Sequence, residues 1–116
     1  MGKSKEVLTL IAELKKNAKE KNAKIWHDIA KRFEKPLRNW SEVNLWKIEK
    51  YLKNDEIGIV AGKVLGVGEI KRPVKIAAYS FSRKAKEKIE FVGGKGMSIR
   101  ELLSLNPSGK NVRILR

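Results

Sequence analysis

The amino-acid sequence predicts a small mixed α/β domain of irregular strand–strand–helix turns with N-terminal helices. Three observations carry that expectation. Apolar residues recur at helical spacing through the first third of the chain, short apolar runs broken by glycine and proline fill the middle, and two serine-led helical segments mark the C-terminal half. The 116 residues suit one domain. Within it, a helical N-terminal part spans 1–39 and a mixed α/β core spans 40–116.

The first helix is expected over 4–21. Val7, Leu10, Ile11, Leu14 and Ala18 share one face, lysine and glutamate take the other, Ser4 is the N-cap candidate and Asn22 breaks the pattern. A second helix, about 23–34, carries Trp26, Ile29, Ala30 and Phe33 on one face and must end before Pro36. Trp40, Val43 and Leu45 alternate as in a short strand, and Ile48 and Leu52 extend Leu45 into a helix near 45–53. Residues 57–61 read as a buried strand, 63–69 as a glycine-punctuated segment with a strand entering a turn, and Val74, Ile76 and Ala78 as a strand after Pro73. Ser82 caps a helix whose face is Ala85, Ile89 and Val92, with Gly93 at its C-terminal exit. Ser98 and Glu101 form a capping box, with Met97 and Leu102 as its hydrophobic staple, and Pro107 closes that helix. Val112 and Ile114 are spaced for a final strand.

Composition removes several functional classes. No cysteine is present, which excludes a disulfide scaffold, a thiol nucleophile, a zinc ribbon and an iron–sulfur site. The single histidine, His27, excludes a His-rich metal site and argues against a Ser-His-Asp triad. No apolar run approaches the ~20 residues of a membrane span, and the polar N-terminus lacks the apolar core of a secretory signal. An intracellular protein is expected. The absence of glutamine beside abundant lysine and glutamate resembles the balance of heat-adapted proteins.

The motifs that suggest small-molecule chemistry are incomplete. Gly66-Val67-Gly68 is a GxG, but Pro73 follows where a dinucleotide fingerprint needs a helix. A tight turn using positive φ at Gly66 and Gly68 is the preferred reading. Gly93-Gly94-Lys95-Gly96 lacks the spacing of a phosphate loop and reads as a helix cap followed by a loop. His27 and Asp28 are adjacent, so they point to different faces of a helix rather than forming an acid–base pair. No enzyme activity, cofactor or metal is expected.

Charge is the stronger signal. Lysine and arginine number 27 against 13 acidic residues, a net charge of +14, and both halves of the chain are basic. Lys31, Arg32, Lys35 and Arg38 surround the end of the second helix, with Trp40 just beyond. Lys71 and Arg72 sit at a turn, and Arg83, Lys84, Lys86 and Lys88 open a third helical unit. Cations neutralise phosphate, and guanidinium or exposed aromatic planes stack on bases, so this pattern points to nucleic acid. The candidate contacts are Lys31, Arg32, Lys35, Arg38, Trp40, Lys71, Arg72, Arg83, Lys84 and Lys86.

Four segments carry a family resemblance: Ile25 to Arg32 (IWHDIAKR), Asn39 to Leu45 (NWSEVNL), Gly62 to Glu69 (GKVLGVGE) and Pro73 to Ser82 (PVKIAAYSFS). Together they resemble the archaeal large-subunit ribosomal protein family L eighteen e, which is related to bacterial ribosomal protein L fifteen. The resemblance runs from about Val7 to Arg116 in unbroken order. Trp46 and His27 depart from it, standing where a small polar and a basic residue are expected. It implies a structural role in the large ribosomal subunit, binding to large-subunit ribosomal RNA, neighbouring ribosomal proteins as partners and a cytoplasmic location, with no membrane and no small-molecule substrate. A free-standing RNA- or DNA-binding regulator is the alternative reading of the same charge.

Overall fold

A computed structural model describes residues 3–116; the first two residues of the polar N-terminal stretch lie outside the described residues. Ser4 caps α1 (Lys5–Lys21), its hydroxyl oxygen accepting from the Val7 N–H at 3.3 Å. Val7, Leu10, Ile11 and Leu14 form the buried stripe. Asn22 then takes a left-handed φ of 52°, which a short polar side chain tolerates, and the chain doubles back into α2 (Lys24–Glu34). Trp26, Ile29, Ala30 and Phe33 of α2 are fully buried. At roughly 1.5–3 kcal/mol for each large apolar side chain, this face is what holds so short a helix to the domain. Lys35 is extended, as the residue before a proline must be, and ends the helix.

A 3-10 turn (Leu37–Asn39) leads into β1 (Ser41–Asn44) and α3 (Leu45–Tyr51). Then follow β2 (Ile57–Leu65), β3 (Lys75–Phe81), α4 (Arg83–Phe91), β4 (Lys95–Ser98), α5 (Ile99–Leu105) and β5 (Val112–Ile114). Every strand pairing is parallel. The order is β1-β2-β3-β4, and β5 also pairs with β2. It takes Ile57–Ile59 while β1 takes Gly62–Leu65, so these two short strands lie end to end along one edge of β2.

A parallel sheet needs cover on both faces. Helices α1, α2 and α5 pack against Ile59, Ala61, Ala77 and Met97 on one side. Helices α3 and α4 pack against Val43, Val60, Val64, Ile76 and Ala78 on the other. The first face is covered over only part of its length. Lys63 and Tyr79 follow Ala61 and Ala77 along the same side of their strands, and both are exposed.

Three local expectations change. The strand read at 57–61 and the strand entering the turn at 63–69 are one element: β2 runs continuously to Leu65 through a register shift between Val60 and Lys63. A Cβ at Gly62 would overlap the Ser41 carbonyl oxygen, so the glycine lets β1 close against β2. The segment read as a loop after Gly93 is strand β4, because pairing with Lys75–Ala78 of β3 outweighs its weak local preference. The helix exit itself is as expected: Gly93 N–H bonds to the Glu90 carbonyl and Gly94 N–H to the Ile89 carbonyl. Finally, Gly68 takes a φ of 100°, but Gly66 does not take a positive φ. Gly66 is small because Lys84 and Ala85, at the start of α4, sit against it.

Candidate nucleic-acid interface

The end of α2 presents its cations from a rigid base. Lys31, Lys35 and Arg38 are exposed. Arg32 is not free in the same way, because its Nε donates to Asp28 Oδ1 at 2.9 Å and its side chain is 18% exposed. Asp28 is therefore turned to Arg32 rather than to His27, which is itself exposed. Glu34 hydrogen-bonds the Lys15 ammonium at 2.7 Å, and that bond holds its carboxyl below the usual carboxylate range. Asp28 and Glu34 are thus committed to Arg32 and Lys15, and among the described residues Lys31, Lys35 and Arg38 form no ion pair of their own.

Trp40 is half-buried beside this cluster. Its indole N–H donates to the Lys35 carbonyl at 3.0 Å. The ring meets Phe33 edge-on at 4.8 Å and Tyr79 at 5.1 Å between centroids, and Lys3 Nζ lies 6.0 Å from its centroid. Edge-to-face contacts of this kind fix ring orientation as well as adding stability. Beneath them the uncovered sheet face opens into a cleft of about 300 Å³, lined by Arg38, Trp40, Glu42, Lys63, Tyr79 and Ser80.

The turn before β3 is built differently. Lys71 is exposed, and its backbone N–H donates to Glu49 Oε1 at 2.9 Å. Arg72 donates to Glu49 Oε2 at 3.1 Å, to Asn54 Oδ1 at 2.8 Å and to the carbonyls of Glu49 and Leu52. Those carbonyls belong to the last turn and the cap of α3, so the guanidinium satisfies acceptors that a helix end leaves open. The Lys71 N–H and then Arg72 hold the Glu49 carboxyl below its ordinary range. Arg72 is thus already occupied inside the fold.

The third cluster opens α4. Ser82 accepts from the Ala85 N–H at 3.1 Å, and Arg83, Lys84 and Lys86 are exposed around that first turn. Arg83 pairs with Glu87 at 3.2 Å, but its side chain is 93% exposed, so solvent screens the pair. Three cations at a helix N-terminus oppose the helix dipole, an arrangement that an incoming anion relieves. Lys88 faces inward instead. Its ammonium donates to the carbonyls of Gly66 at 3.1 Å and Gly68 at 2.9 Å, fixing the glycine loop.

The structure does not merge the three clusters. Arg72 precedes β3 and Arg83 follows it, so a strand of seven residues, roughly 23 Å at 3.3 Å per residue, separates them. It does join Lys35, Arg38 and Trp40 into one neighbourhood and adds Lys63 and Tyr79 to it, while Lys31 stands one helical turn back on α2. Sequence reading passed over those two. The available signals were a lysine interrupting the apolar run of β2 and a tyrosine on the alternating face of β3.

A family model described as the ribosomal proteins 50S-L15 and 50S-L18e, together with their 60S counterpart, matches residues 11–96. The chain belongs to this family. Its relatives include large ribosomal subunit protein eL18 of Halobacterium salinarum, 44% identical over 113 residues, which covers 97% of each chain. The eL18 protein of Archaeoglobus fulgidus is 49% identical over 109 residues, covering 94% of this chain and 93% of that one. That of Methanoregula boonei is 50% identical over 107 residues, covering 92% and 88%. All ten candidate contact residues of this family member fall within the matched segment. Among the described residues, no helix is long and apolar enough to cross a membrane.

Proposed function

We propose that this chain is a structural constituent of the large ribosomal subunit that binds large-subunit ribosomal RNA through its basic surface. The observation that carries this reading is the excess of uncommitted cations: among the described residues, nine of the 27 basic side chains pair with a carboxylate. Self-repulsion of such a surface is relieved when phosphates replace the missing counter-charges. Lys31, Lys35 and Arg38, beside Trp40, form the principal contact, with Arg83, Lys84 and Lys86 as a second. Lys71 adds a peripheral charge. Arg32 and Arg72 serve by holding Asp28 and the end of α3, which keeps the contacting elements in register. The mechanism is electrostatic and geometric rather than catalytic. Phosphates are neutralised where RNA strands crowd, and the folded core sets the spacing of the cations. Neighbouring ribosomal proteins are further partners, no cofactor takes part, and the location is the ribosome in the cytoplasm.

The test is sedimentation of the native protein from its source. After a moderate salt wash it should travel with large subunits. A chain found wholly in the slow-sedimenting fractions, with ribosomes intact, would overturn the reading.

A further inference from the structure

We propose that the cleft on the uncovered half of the sheet seats a single unstacked guanine nucleotide of an RNA loop. The inference rests on the RNA-binding reading above but draws on different observations. The first is position. The cleft interrupts the helical cover of a parallel sheet, and its floor is strand rather than loop, so its shape is preset. At about 300 Å³ it lies at the small end of ligand pockets, suited to one nucleotide rather than a longer stretch.

The second observation is the aromatic platform. Tyr79 is 41% exposed, while Phe33 behind it is fully buried and Trp40 beside it is tethered through its indole N–H. The phenol is thus braced with ring surface still open to the cleft. Single-stranded RNA is held by stacking splayed bases on such rings. Arg38 and Lys63 on the cleft wall supply charge for the flanking phosphates.

The third observation selects the base. Glu42 neighbours the fully buried Val43 on β1, so alternation turns its side chain to the cleft, where it stands in register with Lys63. Among the described residues it forms neither a hydrogen bond nor an ion pair. A carboxylate in a phosphate site is repulsive unless it meets donors, and an ionised carboxylate only accepts. Guanine presents its ring N–H and exocyclic amino group side by side, which matches the two carboxylate oxygens. Adenine and cytosine each present one amino group on that edge, and uracil one ring N–H.

The experiment uses the full chain and pentaribonucleotides UUXUU, with X as each of the four bases. The oligomer with central guanine should bind tightest. Tyr79→Ala should weaken it about tenfold or more, the loss of one base–aromatic stack, while Tyr79→Phe binds like the parent. Glu42→Gln should erase the preference for guanine over adenine. In the unsubstituted protein, NMR should show the indole N–H of Trp40 moving on titration while that of Trp26, bonded to the Pro107 carbonyl, stays still. Equal binding of all four oligomers, a preference untouched by Glu42→Gln, or shifts confined to another face would overturn the proposal even if Tyr79→Ala fails to fold. Salt-sensitive binding of a folded ribosomal RNA fragment that ignores both Tyr79 and Glu42 would end this inference and leave the RNA-binding reading standing.

Discussion

Arg72 closes on Glu49 with Nε 3.1 Å from Oε2, and the pair ties the turn before β3 to the end of α3. The guanidinium also reaches the Glu49 and Leu52 carbonyls, so its removal would strand acceptors at a helix terminus. Arg72→Ala should lower unfolding free energy by roughly 1.5–3 kcal/mol, the range for hydrogen bonds to charged groups. Arg72→Lys should recover a minor part of this, since an ammonium cannot reproduce the planar fork. Urea melts with unchanged m-values would check both. A parental midpoint for Arg72→Ala would show that the network contributes nothing.

The same pair makes stability depend on pH. The Lys71 N–H and Arg72 depress the folded-state pKa of Glu49 below its ordinary value near 4.5. A depressed carboxyl contributes stability that is fully present above the unfolded-state value and is lost as pH falls through the folded-state value. The melting-temperature gap between the parent and Glu49→Gln should therefore be widest at neutral pH and shrink steadily below about pH 4.5. A gap that grows on acidification would have the wrong sign for this linkage.

Local signals were legible in the sequence where one residue decides one bond. Ser4, Ser82 and Ser98 each cap a helix through the hydroxyl oxygen, and the Gly93 exit forms as its position implies. Glu101 shows where such reading stops: its carboxylate sits 2.9 Å from Lys95, a partner that pattern alone would not choose. Strand β4 was hidden because Lys95 and Gly96 have little strand preference of their own and owe their conformation to β3. The candidate site divides in the same way. Lys31, Lys35 and Arg38 could be grouped from their spacing around the end of α2. Arg72 looked equally free, because the groups that occupy it, Glu49 and Asn54, lie 23 and 18 residues away. Tyr79 became part of the cleft only once β3 was set beside β2 and α2.

The glycine loop after β2 offers a paired test. At Gly68 the φ of 100° is strained for any side chain, and a Cβ would sit 2.6 Å from the Trp46 backbone nitrogen. At Gly66 the backbone is ordinary and the obstacle is Lys84 Cβ at 2.9 Å. Gly68→Val should destabilise by about 3 kcal/mol or more, combining backbone strain with overpacking. Gly66→Val should stay within roughly 1–3 kcal/mol, the range for overpacking alone. Thermal melts would rank them, and the reverse order would contradict this division between strain and packing.

The decisive surface test removes charge from Lys31, Lys35 and Arg38 while sparing Arg32, whose bond to Asp28 serves the helix. Changing all three to glutamine preserves much of the side-chain length. Lys31 stands in the last turn of α2, where a cation complements the helix dipole, so a stability loss of about 0.3–1 kcal/mol is expected from that residue. Lys35 and Arg38 lie beyond the helix and should add little. Binding to a ribosomal RNA fragment should weaken, and the slope of log affinity against log salt should become shallower by roughly 2–3, because each missing cation leaves one phosphate unneutralised. Incorporation into large subunits should fall in parallel. A charge-matched control separates site from bulk charge. Lys3 Nζ touches the Lys35 carbonyl, so the far end of the 17-residue α1 lies roughly 25 Å from Lys35, and Lys24 lies seven residues, roughly 10 Å, before Lys31 along α2 at 1.5 Å per residue. Lys19→Gln and Lys21→Gln at that end, with Lys24→Gln at the start of α2, remove the same net charge. If this control flattens the salt slope as much as the site variant does, the cations act as a diffuse charge cloud and the end of α2 is not the contact. If it leaves the slope near the parental value while the site variant does not, phosphates are engaged at Lys31, Lys35 and Arg38.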